Sequence, residues 1–450
     1  MKLLLFLAAH VLLGVAIRLV PAVAILHAVG CLAVGIFVAG TRRTRYVAYT
    51  IAYLAGSEVL WRLSKTSLFH ELAQYEIAAV VLVALVRMRA SRNRWLALGY
   101  FLLLLPSAAL TIGALDSADE TRQVLSFNLS GPLTLMLCII FFSNVRLEAA
   151  DLRKVFWSLI GPVIGIATIA VLSTAAVRDL EFGRQSNHIT AGGFGPNQVS
   201  SMLGLAALFA ILMVLDRTLR WRIRILLLGI AGVLAIQSAL TFSRAGVLMA
   251  MCSIVAASVF LLQNGRARVT IVVVGLVLGL VGNYVVAPRL EEFTHGQIGE
   301  RYSSLDSDGR TKIASLDLQI FADNPLLGVG PGAATELRIE GRHIAAHTEY
   351  TRMLAEHGCL GALAIVLLVL LGLRTFRQAR AIEARALVAA LLAWSALFLG
   401  INGMRLAAVS FVAGLACSIA FSSLRPAKAR KARGPAVAPP GSALQPASTS

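Results

Sequence analysis

The stretch VTIVVVGLVLGLVGNYVVA, residues 269–287, holds no charged side chain along its whole length. As an α-helix rising about 1.5 Å per residue it would be about as long as the hydrocarbon layer of a bilayer is thick. The run is continuously apolar and does not alternate, which argues against the strand of a membrane barrel. Only helices and closed barrels satisfy their backbone polar groups in hydrocarbon, so the stretch reads as a spanning helix. Working outward, residues 155–177, 198–215 and 352–373 repeat the pattern. Composition agrees. With 58% hydrophobic and 14% charged side chains and a mean hydropathy of +0.77, the chain exposes too much apolar surface to be solvated by water alone.

The expected fold class is therefore all-α, a polytopic integral membrane helical bundle of about 12–14 transmembrane helices. Residues 45–60 and 76–86 are the short spans in that number. Residues 2–20 have some signal-peptide character, but they run through Pro21 into a second apolar stretch and lack a small-x-small cleavage site, so they read as the first transmembrane helix. Cys31, Cys138, Cys252, Cys359 and Cys417 stand singly in or beside apolar runs and read as small packing residues. Residues 426–450, rich in Pro, Ala, Lys and Ser, are expected to form a disordered cytoplasmic tail.

A net charge of +18 would suggest nucleic acid in a soluble protein. Here the cations fall in alternate loops: Arg42, Arg43 and Arg45; Arg87, Arg89, Arg92 and Arg94; Arg146, Arg153 and Lys154; Arg217, Arg220, Arg222 and Arg224; Arg266 and Arg268; Arg374, Arg377, Arg380 and Arg385; and residues 425–433. The positive-inside rule makes these loops and both termini cytoplasmic, and no nucleic-acid partner is expected.

The remaining outer segments longer than a turn are 61–75, 178–196 and 288–350, and the last is long enough to carry function. Within it, Ile313, Leu316, Ile320 and Phe321 share one face at helical spacing, predicting an amphipathic helix over 311–321 that lies on the membrane or caps the bundle. Asp308-Gly309 precedes it and Asp323-Asn324-Pro325 ends it, which puts Arg310 at its start. The following Leu327-Gly328-Val329-Gly330-Pro331-Gly332 either simply turns or lets the backbone approach another segment closely. His347 stands just before the next apolar run, where a helix N-terminus would favour a neutral ring able to accept a proton; the plain alternative is an interfacial histidine. His188, His295 and His343 lie farther from any rigid helix. Arg244 occupies a very short outer hairpin, Thr241-Phe242-Ser243-Arg244-Ala245-Gly246, where it is costly unless it meets an anion, a watery cavity or headgroups. A diphosphate would suit its planar fork. In Phe194-Gly195-Pro196-Asn197-Gln198, proline starts a span and Asn197 is either a cap or an outward amide.

These segments, Gly195 to Gln198, Phe242 to Gly246, Arg310 with the run from Phe321 to Gly332, and His347-Thr348-Glu349-Tyr350 leading to Glu356-His357-Gly358, resemble the O-antigen ligase and polymerase superfamily of bacterial envelope glycosyltransferases. The resemblance covers about residues 197–361 and implies residues 1–196 as N-terminal transmembrane helices and 197–425 as the ligase-like region, with 288–350 its large periplasmic loop. It further implies a bacterial inner-membrane enzyme without cofactor that transfers a glycan, independently of metal, from undecaprenyl diphosphate to an acceptor hydroxyl on lipid A core or on a second lipid-linked glycan. By position His347 would be the base, Arg244 and Arg310 would hold the diphosphate, and Arg301 would be a weaker substitute for Arg310. Asn197, Ser243, Thr348 and Glu349 are further candidates. The family often has asparagine directly after the histidine where this chain has Thr348, which bears on the acceptor more than on the reaction. Asp306-Ser307-Asp308, the one Asp-x-Asp of an outer loop, reads as turn chemistry beside Gly309. A ligase, a polymerase using a second lipid-linked repeat as acceptor, and a glycan or lipid transporter remain the alternatives; the last would need polar residues along a mid-membrane path.

Overall fold

A computed structural model describes residues 2–88, 93–177, 180–183, 185–216, 218–263, 265–303, 309–339 and 344–421. Asp306-Ser307-Asp308, His343, Arg178, Arg89, Arg92, Arg217 and the expected tail at 426–450 lie outside these residues. Among the described residues the regular elements are helices: α1 (Lys2–Leu19), α2 (Ala22–Gly40), α3 (Thr44–Leu63), α4 (Leu72–Leu85), α5 (Arg94–Leu102), α6 (Ala108–Ala114) and α7 (Ala118–Phe142). They continue with α8 (Ala149–Ala175), α9 (Pro196–Val214), α10 (Trp221–Leu240), α11 (Arg244–Leu261), α12 (Gly265–Val281), a π-helical turn (Gly282–Val286), α13 (Ala287–Phe293) and α14 (Gln297–Ser303). Last come α15 (Arg310–Asp323), α16 (Ala334–Leu337), α17 (Glu349–Gln378), α18 (Ile382–Asn402) and α19 (Ala407–Phe421).

Ten of the described helices are long and apolar enough to cross a membrane, counting Arg268–Phe293 as one. The shorter apolar helices Leu72–Leu85 and Ala407–Ser418 bring the number to the lower end of the expected range. Helix α3 has the length of a span but carries Arg45, Glu58 and Arg62. The chain is thus a polytopic helical membrane protein. Its basic loops gather at one end: Arg87 donates to the Gly40 carbonyl, Asn93 to Ser143 Oγ at 3.1 Å, Ser418 to the Val145 carbonyl at 2.7 Å, and Arg153 pairs with Asp216 at 2.6 Å.

Two boundaries differ from expectation. Pro288 does not end its helix: the π-helical turn just before it re-registers the backbone, and the helix runs on to Phe293. The segment between that helix and α17 covers 294–348. Of the cysteines, Cys138 and Cys417 are buried packing residues as expected, whereas Cys252 and Cys359 are exposed on the bundle surface.

Buried polar groups join the first three helices. The Trp61 indole can only donate, and it does so to His27 Nδ1 at 2.8 Å. His27 must then carry its proton on Nε2, which donates to Tyr53 Oη at 3.0 Å; Tyr53 donates to His10 Nε2 at 3.2 Å; and His10 Nδ1 donates to the Phe6 carbonyl at 2.8 Å. A donor at one end and a carbonyl at the other set both tautomers.

The site is positioned by the crossing of α9 and α11. A Cβ on Gly246 would stand 1.9 Å from the Ser200 carbonyl oxygen, and one on Gly204 would stand 2.3 Å from that of Gly246. Backbone cannot retreat as a flexible side chain can, so Gly246→Ala is expected to separate the two helices. Little monodisperse protein should be recovered in detergent, and a Gly246→Ala protein with wild-type unfolding temperature would contradict this account of the crossing.

Candidate functional site

At the end opposite the basic loops, α10 ends at Leu240 and α11 begins at Arg244, leaving the tight turn 241–243. Its shape is over-determined. Phe242 is fully buried with φ of 56°, a left-handed value uncommon outside glycine, and its ring stacks on Phe182 with centroids 5.1 Å apart. The Ser243 amide donates to Thr241 Oγ1 at 3.2 Å, and the Thr241 hydroxyl to the Ser238 carbonyl at 2.7 Å. Ser200 Oγ reaches the Ser243 carbonyl at 2.9 Å and accepts from the Gly246 amide at 3.1 Å.

Three candidates meet on this turn. Ser243 Oγ donates to Asn197 Oδ1 at 2.6 Å, so Asn197 serves a tertiary contact; the N-cap of α9 is Gly195, with no side-chain cap bond. Arg301, 4% exposed, donates from Nε to the Phe242 carbonyl at 3.0 Å. Beside it, burial pushes the Tyr302 phenol up to about 12 against the opposing effect of the Arg301 and Arg244 cations, and its buried hydroxyl has no hydrogen-bond partner among the described residues. Arg244, Arg301 and the Tyr302 hydroxyl thus share one locality.

The second group forms where α17 begins. Thr348 caps the helix, its Oγ1 accepting from the Tyr350 amide at 3.3 Å, which answers one of the two roles open to it from sequence. His347, immediately before the cap, is partly buried. Glu349 is 1% exposed; it pairs with Arg352, accepting from Nε at 3.0 Å, and also accepts from the Met404 amide at 3.2 Å. Arg352 in turn meets Glu356 at 2.5 Å.

The glycine-rich bend proves to be a close backbone approach. Gly328, Gly330 and Gly332 all have φ between 68° and 94°. The Val329 and Gly330 amides donate to the Ala355 and Glu356 carbonyls at 3.0 Å, and the Cys359 amide donates to the Pro325 carbonyl at 2.7 Å. A Cβ on Gly328 would lie 2.4 Å from the Glu356 carbonyl carbon. This crossing occurs where Gly358, at φ 59° and ψ −139°, interrupts α17, so the first turns of α17 form a separate piece aimed by the bend.

Helix α15 covers the predicted 311–321 and runs on to Asp323, starting at Arg310 after Gly309, whose φ is 75°. It caps the bundle by packing on α17. Its fully buried Asp317 accepts from Arg338 Nε at 2.7 Å and from Thr351 Oγ1 at 2.7 Å. A buried pair of this kind is costly to break because one charge stays behind, so it anchors the helix in one position.

Between these elements lies an open basin lined by Arg62, Arg338, Arg352, Arg405, Glu349, Glu356, His70, Glu71, Gln74, Asn128, Ala345 and Ala346. Arg62 ties it together, donating to Glu58 at 2.5 Å, to Gln198 Oε1 at 3.0 Å, and to the carbonyls of His70 at 2.6 Å and Arg405 at 3.1 Å. Arg405 Nη2 donates to the Ala346 carbonyl at 2.7 Å. Burial, with the Arg338, Arg310 and Arg62 cations and against Glu349, holds the Arg405 guanidinium below its ordinary pKa.

The two groups are therefore continuous. Asn197 touches Ser243, the adjacent Gln198 touches Arg62, Arg62 touches Arg405, and Arg405 touches the residue before His347. Arg301 stands against the Arg244 turn, whereas Arg310 acts on Arg405. Sequence reading passed over Asp317, Arg338, Arg352 and Arg405. Arg405 carried the same signal as Arg244, an arginine in a very short hairpin between apolar helices, and Asp317 stood as an acid among the apolar positions of α15. Among the described residues no three His, Cys, Asp or Glu side chains come together as a metal-binding set.

No curated protein matches the chain. Residues 238–366, which contain Ser243, Arg244, Arg301, Arg310, His347, Thr348 and Glu349 but not Asn197, match the sequence model of the O-antigen ligase family, and in that segment this membrane protein is O-antigen ligase-like.

Proposed function

We propose that the protein is an inner-membrane glycosyltransferase that moves a glycan from undecaprenyl diphosphate to an acceptor hydroxyl on the periplasmic face, with both termini in the cytoplasm. The observation that carries this reading is the series of contacts from the Ser243 and Arg244 turn through Asn197, Gln198, Arg62 and Arg405 to the residue before His347, whose two ends lie in the segment that matches the O-antigen ligase family. It gives one site a candidate base and a separate candidate grip for an anion.

In this mechanism His347 takes the proton of the acceptor hydroxyl as its oxygen attacks the anomeric carbon. The bond from that carbon to the diphosphate oxygen breaks, and undecaprenyl diphosphate leaves with the electron pair. Arg244 and Arg301, with the Tyr302 hydroxyl, stabilise the charge that grows on the leaving group, and Arg310 adds positive potential from the side of Arg405. Thr348 and Glu349 hold the helix start from which His347 projects, and Asn197 and Ser243 hold the Arg244 turn.

The test is transfer by purified protein in liposomes from a synthetic undecaprenyl-diphosphate oligosaccharide, with and without lipid A core. One shifted product that requires lipid A core identifies a ligase, and a ladder formed without it identifies a polymerase. No product under either condition defeats the proposal. The chemistry named needs no metal, so EDTA is expected to leave the initial rate unchanged; inhibition reversed by added divalent cation would contradict the mechanism.

A further inference from the structure

Arg405 sits in the turn 403–406 between α18 and α19 and faces the basin beside His347. Among the described residues its side chain makes one hydrogen bond, to the Ala346 carbonyl, and no carboxylate pairs with it. The neighbouring carboxylates are already engaged: Glu349 with Arg352 and the Met404 amide, Glu356 with Arg352, Glu58 with Arg62 and the Ala407 amide, and Asp317 with Arg338 and Thr351. Glu71 also lines the basin.

Arg338 supplies a second, independent observation. Its side chain is fully buried and lines the same basin; Nε is bonded to Asp317 and Nη1 to the Ile344 carbonyl at 2.6 Å, yet among the described residues the buried Nη2 finds no acceptor. A buried guanidinium N–H left without an acceptor costs free energy, which an oxyanion would recover through charge-assisted hydrogen bonds.

We propose that Arg338 and Arg405 form an oxyanion subsite for a phosphate or carboxylate group carried by the glycan acceptor, separate from the diphosphate grip at Arg244 and Arg301. The inference rests on the transfer reading above. The acceptor hydroxyl must reach His347, so the basin beside His347 is the acceptor's side. The donor belongs at the other cluster: α12 and α13 are open to lipid along their length and lead directly into α14, which brings Arg301 to the Arg244 turn. A polyprenyl tail can therefore lie in lipid while its diphosphate meets those two arginines.

The test titrates detergent-purified protein, without donor, with three alkyl-linked disaccharides: one neutral, one bearing a phosphate monoester and one a uronic acid. Wild-type protein is expected to bind at least one anionic form about tenfold or more tightly than the neutral one. The preference should vanish in Arg405→Gln and survive in part in Arg405→Lys, with unfolding temperatures unchanged. Equal wild-type binding of all three, or a full preference retained in Arg405→Gln, overturns the subsite. If Arg405→Gln does not fold, Arg405→Lys decides, because a point charge in place of the planar fork should still weaken the preference measurably. A parallel liposome assay should show a raised acceptor KM and an unchanged donor KM in Arg405→Gln; a raised donor KM alone would assign the arginines to the donor and overturn the proposal. Absence of product from wild-type protein with any lipid-diphosphate donor defeats the transfer reading instead, while the binding titration judges the oxyanion subsite by itself.

Discussion

His347→Ala is expected to lower the transfer rate by about 10²- to 10⁴-fold, the contribution typical of a positioned general base, while protein yield and unfolding temperature stay near wild type. The residue is partly buried, just ahead of the Thr348 cap and outside the helix proper. Donor binding should survive, because the Arg244 turn is fastened by Asn197, Ser200 and Arg301. The decisive comparison is single-turnover transfer by wild type and His347→Ala at saturating donor. A rate within threefold of wild type would remove His347 from the proton transfer. The cap supplies a control: Thr348→Ser keeps the hydroxyl that accepts from the Tyr350 amide and should retain most activity.

Arg244→Ala and Arg301→Ala should each lower transfer by about 10²- to 10³-fold, as loss of one preorganised donor to a developing oxyanion does. Arg301 also bonds the Phe242 carbonyl within a strained turn, so Arg301→Ala is expected to lower the unfolding temperature as well. Lysine at either position restores the charge without the fork and should recover only part of the rate. Arg244→Ala with wild-type kinetics would place the diphosphate elsewhere. Arg310→Ala, at a partly exposed helix start, should have a smaller effect than Arg301→Ala if contact with the turn is what counts.

The sequence by itself determined the solvent of this protein, its helices and the gathering of its basic loops at one end of the bundle. Those properties depend on the run length of apolar residues and on where charges interrupt them, and both are local. It also singled out the extent of α15, the hairpin at Arg244 and the placement of His347 before a helix, because glycine, proline and a lone charge between apolar runs each constrain the chain within a few residues. The run past Pro288 could not be read, since a π-helical turn absorbs the proline without leaving a compositional mark. Tertiary structure alone decided which cations meet. Arg310 reads from sequence as the stronger diphosphate candidate of the two in that long loop, yet the fold puts Arg301 against the Phe242 carbonyl and Arg310 near Arg405. Asp317 and Arg338 lie 21 residues apart and become a pair only when the Gly328 to Gly332 bend crosses α17 at Gly358. Such partners depend on helix crossings fixed by distant close contacts like that of Gly246 with Ser200, and no local pattern encodes them.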